Sequence, residues 1–198
     1  MPERTDSGYN ITAILEGMRE EYWQALREAE EPPQEMLECI VFNLGGELFA
    51  CEMAYASEVI KVPKLVKVPR TEGIFAGAFN LRGEILLAVD IRPLLALPSP
   101  PLTKSARILV VKSQKFKTGL ITDMVYEVTE LSYNSFTPLP EETNASRAAF
   151  VRGQLCANSN YLNLLDIQQL LNSPEIVINQ NRLEELGGSS ATGADNVT

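Results

Sequence analysis

The sequence predicts a mainly β protein, a barrel or sandwich of short strands, with one amphipathic helix ahead of it. Three observations lead there. Between residues 36 and 165, short apolar runs rich in Val, Ile, Leu and Phe are broken repeatedly by Gly and Pro, the texture of many short strands. Residues 10–29 instead place apolar side chains three and four apart. The whole chain, 198 residues with 45% hydrophobic and 22% charged side chains, has ordinary globular composition and the length for a domain with its own core.

The helix comes first. From Asn10 to Ala29 the apolar positions Ile11, Ile14, Leu15, Met18, Tyr22, Ala25, Leu26 and Ala29 fall on one face, with Glu16, Arg19, Glu20, Arg27 and Glu28 on the other. Asn10 or Thr12 supplies a cap, and Glu30-Glu31-Pro32-Pro33 ends the helix. A lone helix of this length is marginal in water, so its stripe needs a partner, either the body of this protein or another chain.

The β texture follows. Glu38–Leu44 and Leu48–Cys51 flank Gly45-Gly46 and read as a hairpin. Ser57–Val62 is a further strand, and Lys64–Pro69, held between two Val-Pro pairs, is extended. Phe75–Leu81 and Glu84–Ile91 pair around Arg82-Gly83. The proline-rich PLLALPSPP at 93–101 separates this set from Arg107–Lys112, Thr118–Val125 and Tyr126–Leu131. Ser132–Ser146 is polar and reads as a long loop. Phe150–Ala157 and Tyr161–Leu165 form a last hairpin turning at Asn158-Ser159-Asn160, and Asp166 caps a short helix, Ile167–Leu171. Beyond Pro174 the chain turns polar and ends GGSSATGADNVT, a flexible tail. No internal repeat is strong enough to argue from. The domain reading is therefore an acidic extension at 1–35, a β body at 36–171 and a tail at 172–198.

Composition closes off several function classes. The chain has no histidine, which removes Ser-His-Asp and Cys-His devices and histidine metal ligands. Cys39, Cys51 and Cys156 lie far apart without a CxxC, so neither a disulfide framework nor a cysteine nucleophile is expected. No metal-ligand spacing and no phosphate-loop motif occurs, so no cofactor is expected. The net charge of −9 disfavours nucleic acid. That charge sits at the ends, −6 over residues 1–35 and −3 over 172–198, leaving the middle balanced. No apolar run approaches the roughly 20 residues of a membrane span, and the start carries no secretory signal, so the expectation is a cytoplasmic protein.

Few residues invite a functional role. Asp90 and Asp123 are the carboxylates an enzyme on this body would use, but nothing pairs them, and strand-end and turn roles fit better. Lys61, Lys64, Lys67 and Arg70 recur every third residue, which lines up one edge of an extended segment. That edge is either a solvated loop or a surface for an acidic partner, this protein's own acidic helix included. Glu58 and Arg82 each stand beside strand-forming apolar residues, where a pair suits recognition better than fold stability.

The order of signals carries a resemblance. Phe42-x-Leu44-Gly45-Gly46-Glu47-x-Phe49-Ala50, Glu58-Val59-Ile60, Val68-Pro69-Arg70-Thr71, Gly77-x-Phe79-Asn80-Leu81-Arg82-Gly83-Glu84-Ile85 and Val89-Asp90-Ile91-Arg92 together resemble the CheW family of chemotaxis coupling proteins, over about residues 37–171. Ala56 departs from a usual valine, and Leu87 from a frequent proline. The resemblance implies two intertwined five-stranded β-barrels and a non-enzymatic adaptor that joins chemoreceptor cytoplasmic tips to a CheA-type histidine kinase. It implies partner contacts at Glu58, Val59, Asn80, Arg82 and Gly83, no catalytic residue, no cofactor, and no nucleic acid or membrane insertion. An adaptor of this kind is cytoplasmic, with recruitment to membrane receptor arrays. The acidic helix and polar tail are not part of the usual short adaptor, so a pilus-based motility pathway stands beside flagellar chemotaxis. A small-ligand-binding β-barrel is the remaining alternative.

Overall fold

A computed structural model describes residues 16–23, 36–69, 73–140, 143–157 and 160–178. The chain divides into two units, Met1–Glu35 and Met36–Thr198. In the first, residues 16–23 form helix α1, with Met18, Tyr22 and Trp23 exposed. The rest of the expected helix, and the tail after 178, lie outside the described residues.

The described residues of the second unit form eleven strands: β1 (Met36–Leu44), β2 (Glu47–Glu52), β3 (Ala56–Lys61), β4 (Phe75–Leu81), β5 (Glu84–Val89), β6 (Arg107–Lys112), β7 (Lys117–Thr122), β8 (Met124–Ser132), β9 (Phe136–Thr137), β10 (Val151–Ala157) and β11 (Asn160–Leu165). Short helices are α2 (Ala145–Ala148), α3 (Ile167–Leu171) and α4 (174–178). Asp166 caps α3, its Oδ1 accepting the Gln169 N–H at 2.8 Å.

Two sheets result, β8-β1-β2-β11-β10-β9 and β3-β6-β7-β5-β4. Each closes on itself by the same device. In the second, the chain leaving β3 stays extended and Val66 bridges Ala78 of β4 through two backbone hydrogen bonds of 2.8 Å. In the first, the chain leaving β8 passes a 3-10 turn and returns as β9 against β10, pairing Phe136 with Leu155. Both closures run over a glycine. A Cβ on Gly77, which has φ +148°, would lie 2.7 Å from the Val66 carbonyl oxygen, and one on Gly153 would lie 2.4 Å from the Phe136 ring. The result is two barrels, the first of six strands and the second of five. The first is split, built from β1–β2 and β8–β11, and the second (β3–β7) is inserted between its halves.

The strand texture follows from burial on both faces. Along β1, Cys39 and Val41 point into the split barrel while Ile40, Phe42 and Leu44 enter a core shared by both barrels. Along β6, Ile108 and Val110 fill the inserted barrel while Leu109 and Val111 join the shared core. Strands covered on both sides read as continuous apolar runs rather than alternation. Phe42 and Phe49, opposite each other in the ladder with ring centroids 6.3 Å apart, anchor that core. Each such side chain contributes about 1.5–3 kcal/mol by burial.

One boundary differs from the sequence reading. The chain does not run on from Thr118 to Val125; the strand ends at Thr122 and a new one starts at Met124. Asp123 is where the chain crosses between barrels, its N–H donating to the Asn43 carbonyl at 3.0 Å. The loop expected at 132–146 also holds β9, which the barrel closure requires.

Candidate partner-binding surface

The five residues expected to meet a partner lie on one side of the inserted barrel. Leu81 pairs with Glu84, leaving Arg82-Gly83 as a two-residue hairpin loop. Both have positive φ, 53° and 95°, the geometry of a type I′ turn, and Asn80 Oδ1 accepts the Gly83 N–H at 2.9 Å. Glycine adopts that conformation freely, whereas a side-chain-bearing residue there costs roughly 1–2 kcal/mol. Arg82 bears that cost with its side chain 81% exposed.

Across the barrel gap, Arg82 Nη2 donates to Glu58 Oε2 at 3.1 Å. Glu58 follows a bulge in the β3–β6 ladder, and its own side chain is 25% exposed. An exposed pair of this kind contributes about 0–1 kcal/mol, so it does not repay the strain at Arg82 by stability alone. Val59 is exposed beside Glu58, and Ile85 stands opposite Asn80 in the β4–β5 ladder, also exposed. Val66, 63% exposed on the closing segment, extends the apolar part of this surface. Sequence reasoning missed Ile85, which sits in the apolar run Ile85–Val89 that looks like core, and Val66, because on the Lys64–Pro69 segment the lysines alone drew attention.

Asp90 and Asp123 have another occupation. Both grip the guanidinium of Arg92, which is only 3% exposed. Asp90 takes it in a fork at 2.8 and 2.7 Å, and Asp123 Oδ1 takes Nη1 at 2.8 Å. The other oxygen of Asp123 accepts the Gly45 N–H at 2.6 Å, and Nη1 also reaches the Pro100 carbonyl at 3.2 Å. The hydrogen bonds from Asp90 hold the Arg92 pKa above its ordinary value. The cluster ties the end of β5, in the inserted barrel, to the β1–β2 hairpin of the split barrel.

The cysteines are equally occupied. Burial raises Cys39 to about 11 and Cys51 to about 12, so both are thiols that pack as small hydrophobes. Among the described residues no cluster of three or more His, Cys, Asp or Glu side chains is arranged to hold a metal. Two grooves of about 510 and 550 Å³ open elsewhere, one at the split barrel beside Tyr126 and Leu162, the other between Tyr55, Lys112 and α3.

Comparison with known proteins agrees with this architecture. Residues 38–175 match the family model described as CheW-like domain. The chain is 25% identical over 146 residues to the chemotaxis protein CheW of Treponema pallidum, covering 72% of this chain and 86% of that one. It is 29% identical to protein PilI of Pseudomonas aeruginosa, over 58% of this chain and 64% of that one. The crystal structure of the scaffolding protein TtCheW from Thermoanaerobacter tengcongensis superposes with a TM-score of 0.64 at 28% identity, covering 71% of this chain and 96% of that one.

Proposed function

The chain belongs to the CheW-like family, and from that premise we propose that it is a non-enzymatic adaptor coupling a chemoreceptor cytoplasmic tip to a CheA-type histidine kinase. The observation that carries the surface assignment is Arg82, held outward at a strained turn position and paired, among the described residues, with another candidate contact residue, Glu58. Glu58, Val59, Asn80, Arg82 and Gly83 serve as the docking surface, Asn80 and Gly83 by shaping the turn and the others by contact. Signal passes as coupling between two bound partners, without a reaction. Residues 36–171 are the adaptor body, and 1–35 and 172–198 are its extensions. No helix among the described residues is long and apolar enough to cross a membrane. The adaptor works in the cytoplasm at membrane receptor arrays.

A second reading, an adaptor of a pilus-based motility system, is favoured by the similarity to PilI. The two readings share the surface and differ in the kinase that occupies it.

The test is a calorimetric titration against the C-terminal regulatory domains of the flagellar and pilus-type kinases of the same cell. Saturable binding to one, weakened at least tenfold by Glu58→Arg or Arg82→Glu in a folded protein, supports the reading and selects the pathway. Absence of binding to either kinase overturns the coupling role.

A further inference from the structure

The groove of about 550 Å³ between the inserted barrel and α3 has a mixed lining. Ile167 and Leu171, one turn apart on α3, and Tyr55 give it an apolar side, while the β6–β7 hairpin contributes Lys112 and Lys115. Both lysines are exposed, and among the described residues neither is in an ion pair. They are the charged residues of the lining. The walls are tied in place. The Lys112 N–H donates to the Tyr55 carbonyl at 2.9 Å, and Ser113 Oγ accepts the N–H groups of Lys115 and Phe116 at 3.1 and 3.2 Å. A volume of this size takes a small ligand or several side chains of a peptide segment.

The complementary chemistry lies in the sequence just beyond α4. Residues 179–198 carry Glu184, Glu185 and Asp195 against one base, Arg182. Their two leucines, Leu183 and Leu186, flank the two glutamates, and Arg182 stands outside this Leu-Glu-Glu-Leu segment on the side of α4. The segment is also close by tether. Asn172 lines the groove, and α4 follows it at 174–178, fixed to the core by buried Ile176. At about 1.5 Å per residue α4 carries the chain only a short way from Asn172. The five residues from Ile178 to Leu183 then span up to about 17 Å, enough to return. Such a tether supplies the segment at an effective concentration on the order of millimolar, well above that of a second chain.

We propose that this groove is the docking site of the chain's own segment 183–186, its leucines against Tyr55, Ile167 and Leu171 and its glutamates toward Lys112 and Lys115. Apolar contact supplies the attraction, and the two charge pairs fix which segment is taken. Any partner segment that uses the groove must first displace the tail. The docking does not depend on the adaptor reading above.

Paramagnetic relaxation in the full chain tests it without any partner. Cys39 and Cys51 are buried, so a nitroxide on Ser189→Cys in a Cys156→Ser background labels the tail alone. With the label active, the amide signals of Ser113, Lys115 and Gln168 should lose roughly half or more of their intensity, as a segment docked most of the time requires. Lys112→Glu with Lys115→Glu, and separately Glu184→Lys with Glu185→Lys, should each restore the signals, and all four changes together should broaden them again. Leu183→Ser with Leu186→Ser, which leaves the groove untouched, should restore them too, with circular dichroism confirming that each variant is folded. Groove signals that keep their intensity, or broadening indifferent to these changes, would overturn the proposal. So would equal broadening in a mixture of spin-labelled chains with isotope-labelled chains lacking the nitroxide, which assigns the contact to a second copy.

Discussion

The β1–β2 and β4–β5 hairpins share one construction and face opposite surroundings. Asn43-Leu44-Gly45-Gly46-Glu47 and Asn80-Leu81-Arg82-Gly83-Glu84 both place two positive-φ residues between a paired Leu and Glu. In both, the Asn side chain accepts the N–H of the second turn residue, at 3.1 and 2.9 Å. The first turn residue differs. A Cβ on Gly45 would sit 2.9 Å from Leu97 Cβ and 3.0 Å from the Pro98 carbonyl, whereas Arg82 projects into solvent. Glycine is therefore required where the turn packs against protein, and a strained arginine is accepted where the turn is free. The same backbone thus serves the fold in one place and, on the proposed function, recognition in the other.

The barrels repeat the lesson at larger scale. Ile74, Gly77, Leu86, Asp90 and Ile91 have counterparts 76 residues later in Phe150, Gly153, Leu162, Asp166 and Ile167. The backbone bonds from Asp90 N–H to Ile74 (2.7 Å) and from Asp166 N–H to Phe150 (2.8 Å) correspond as well. At the tip of the inserted barrel the Arg82–Glu58 pair spans the gap between hairpin and opposing strand. The corresponding gap of the split barrel is the groove beside Tyr126, Ala157 and Asn160.

The largest expected effect comes from exchanging the two turns. Gly45→Arg must displace Leu97 and Pro98 and strain the backbone, at about 3–5 kcal/mol. The melting temperature should fall by roughly 10 °C or more. Asp123→Asn comes next. It keeps the shape but removes one carboxylate from buried Arg92 and weakens the bond to Gly45, at about 2–3 kcal/mol in denaturant unfolding.

A smaller effect separates the glutamates that end the two turns. Glu47 is bonded by Arg147 and by the Asn163 amide, and the Arg147 hydrogen bond holds its pKa below the ordinary value. A depressed carboxylate stabilises the fold above the unfolded pKa, and that contribution is lost as pH falls through the folded one. The melting difference between wild type and Glu47→Gln should therefore be present at neutral pH and fade as pH drops below about 4. Glu84, whose ion pair with Lys117 is exposed on both sides, should lose only about 0–1 kcal/mol on Glu84→Gln at neutral pH.

Much of this was legible in the sequence. Gly and Pro punctuation marks most strand boundaries, and Asn-Leu-Arg-Gly fixes the exposed turn, because both signals are local. The repeat was not legible: the split barrel starts with its last hairpin, so its halves lie at opposite ends of the body, and mostly Gly, Leu, Asp and Ile persist at the common spacing. Nor was the break at Asp123, which is set by crossing to another barrel rather than by local preference. The roles of Asp90 and Asp123 depend on Arg92, and the exposure of Val66 and Ile85 on where the barrel closes. Such features exist only after distant segments meet.

The central claim is that Arg82 occupies a glycine position for recognition and not for the fold. Arg82→Gly tests it in one protein, read for melting temperature and for affinity to the kinase regulatory domain. Relief of left-handed strain and the greater chain entropy of glycine nearly offset, so the melting temperature should stay within about 2–3 °C of wild type or rise. Affinity should fall at least tenfold. A protein that melts well below wild type while binding the kinase as tightly would contradict the account.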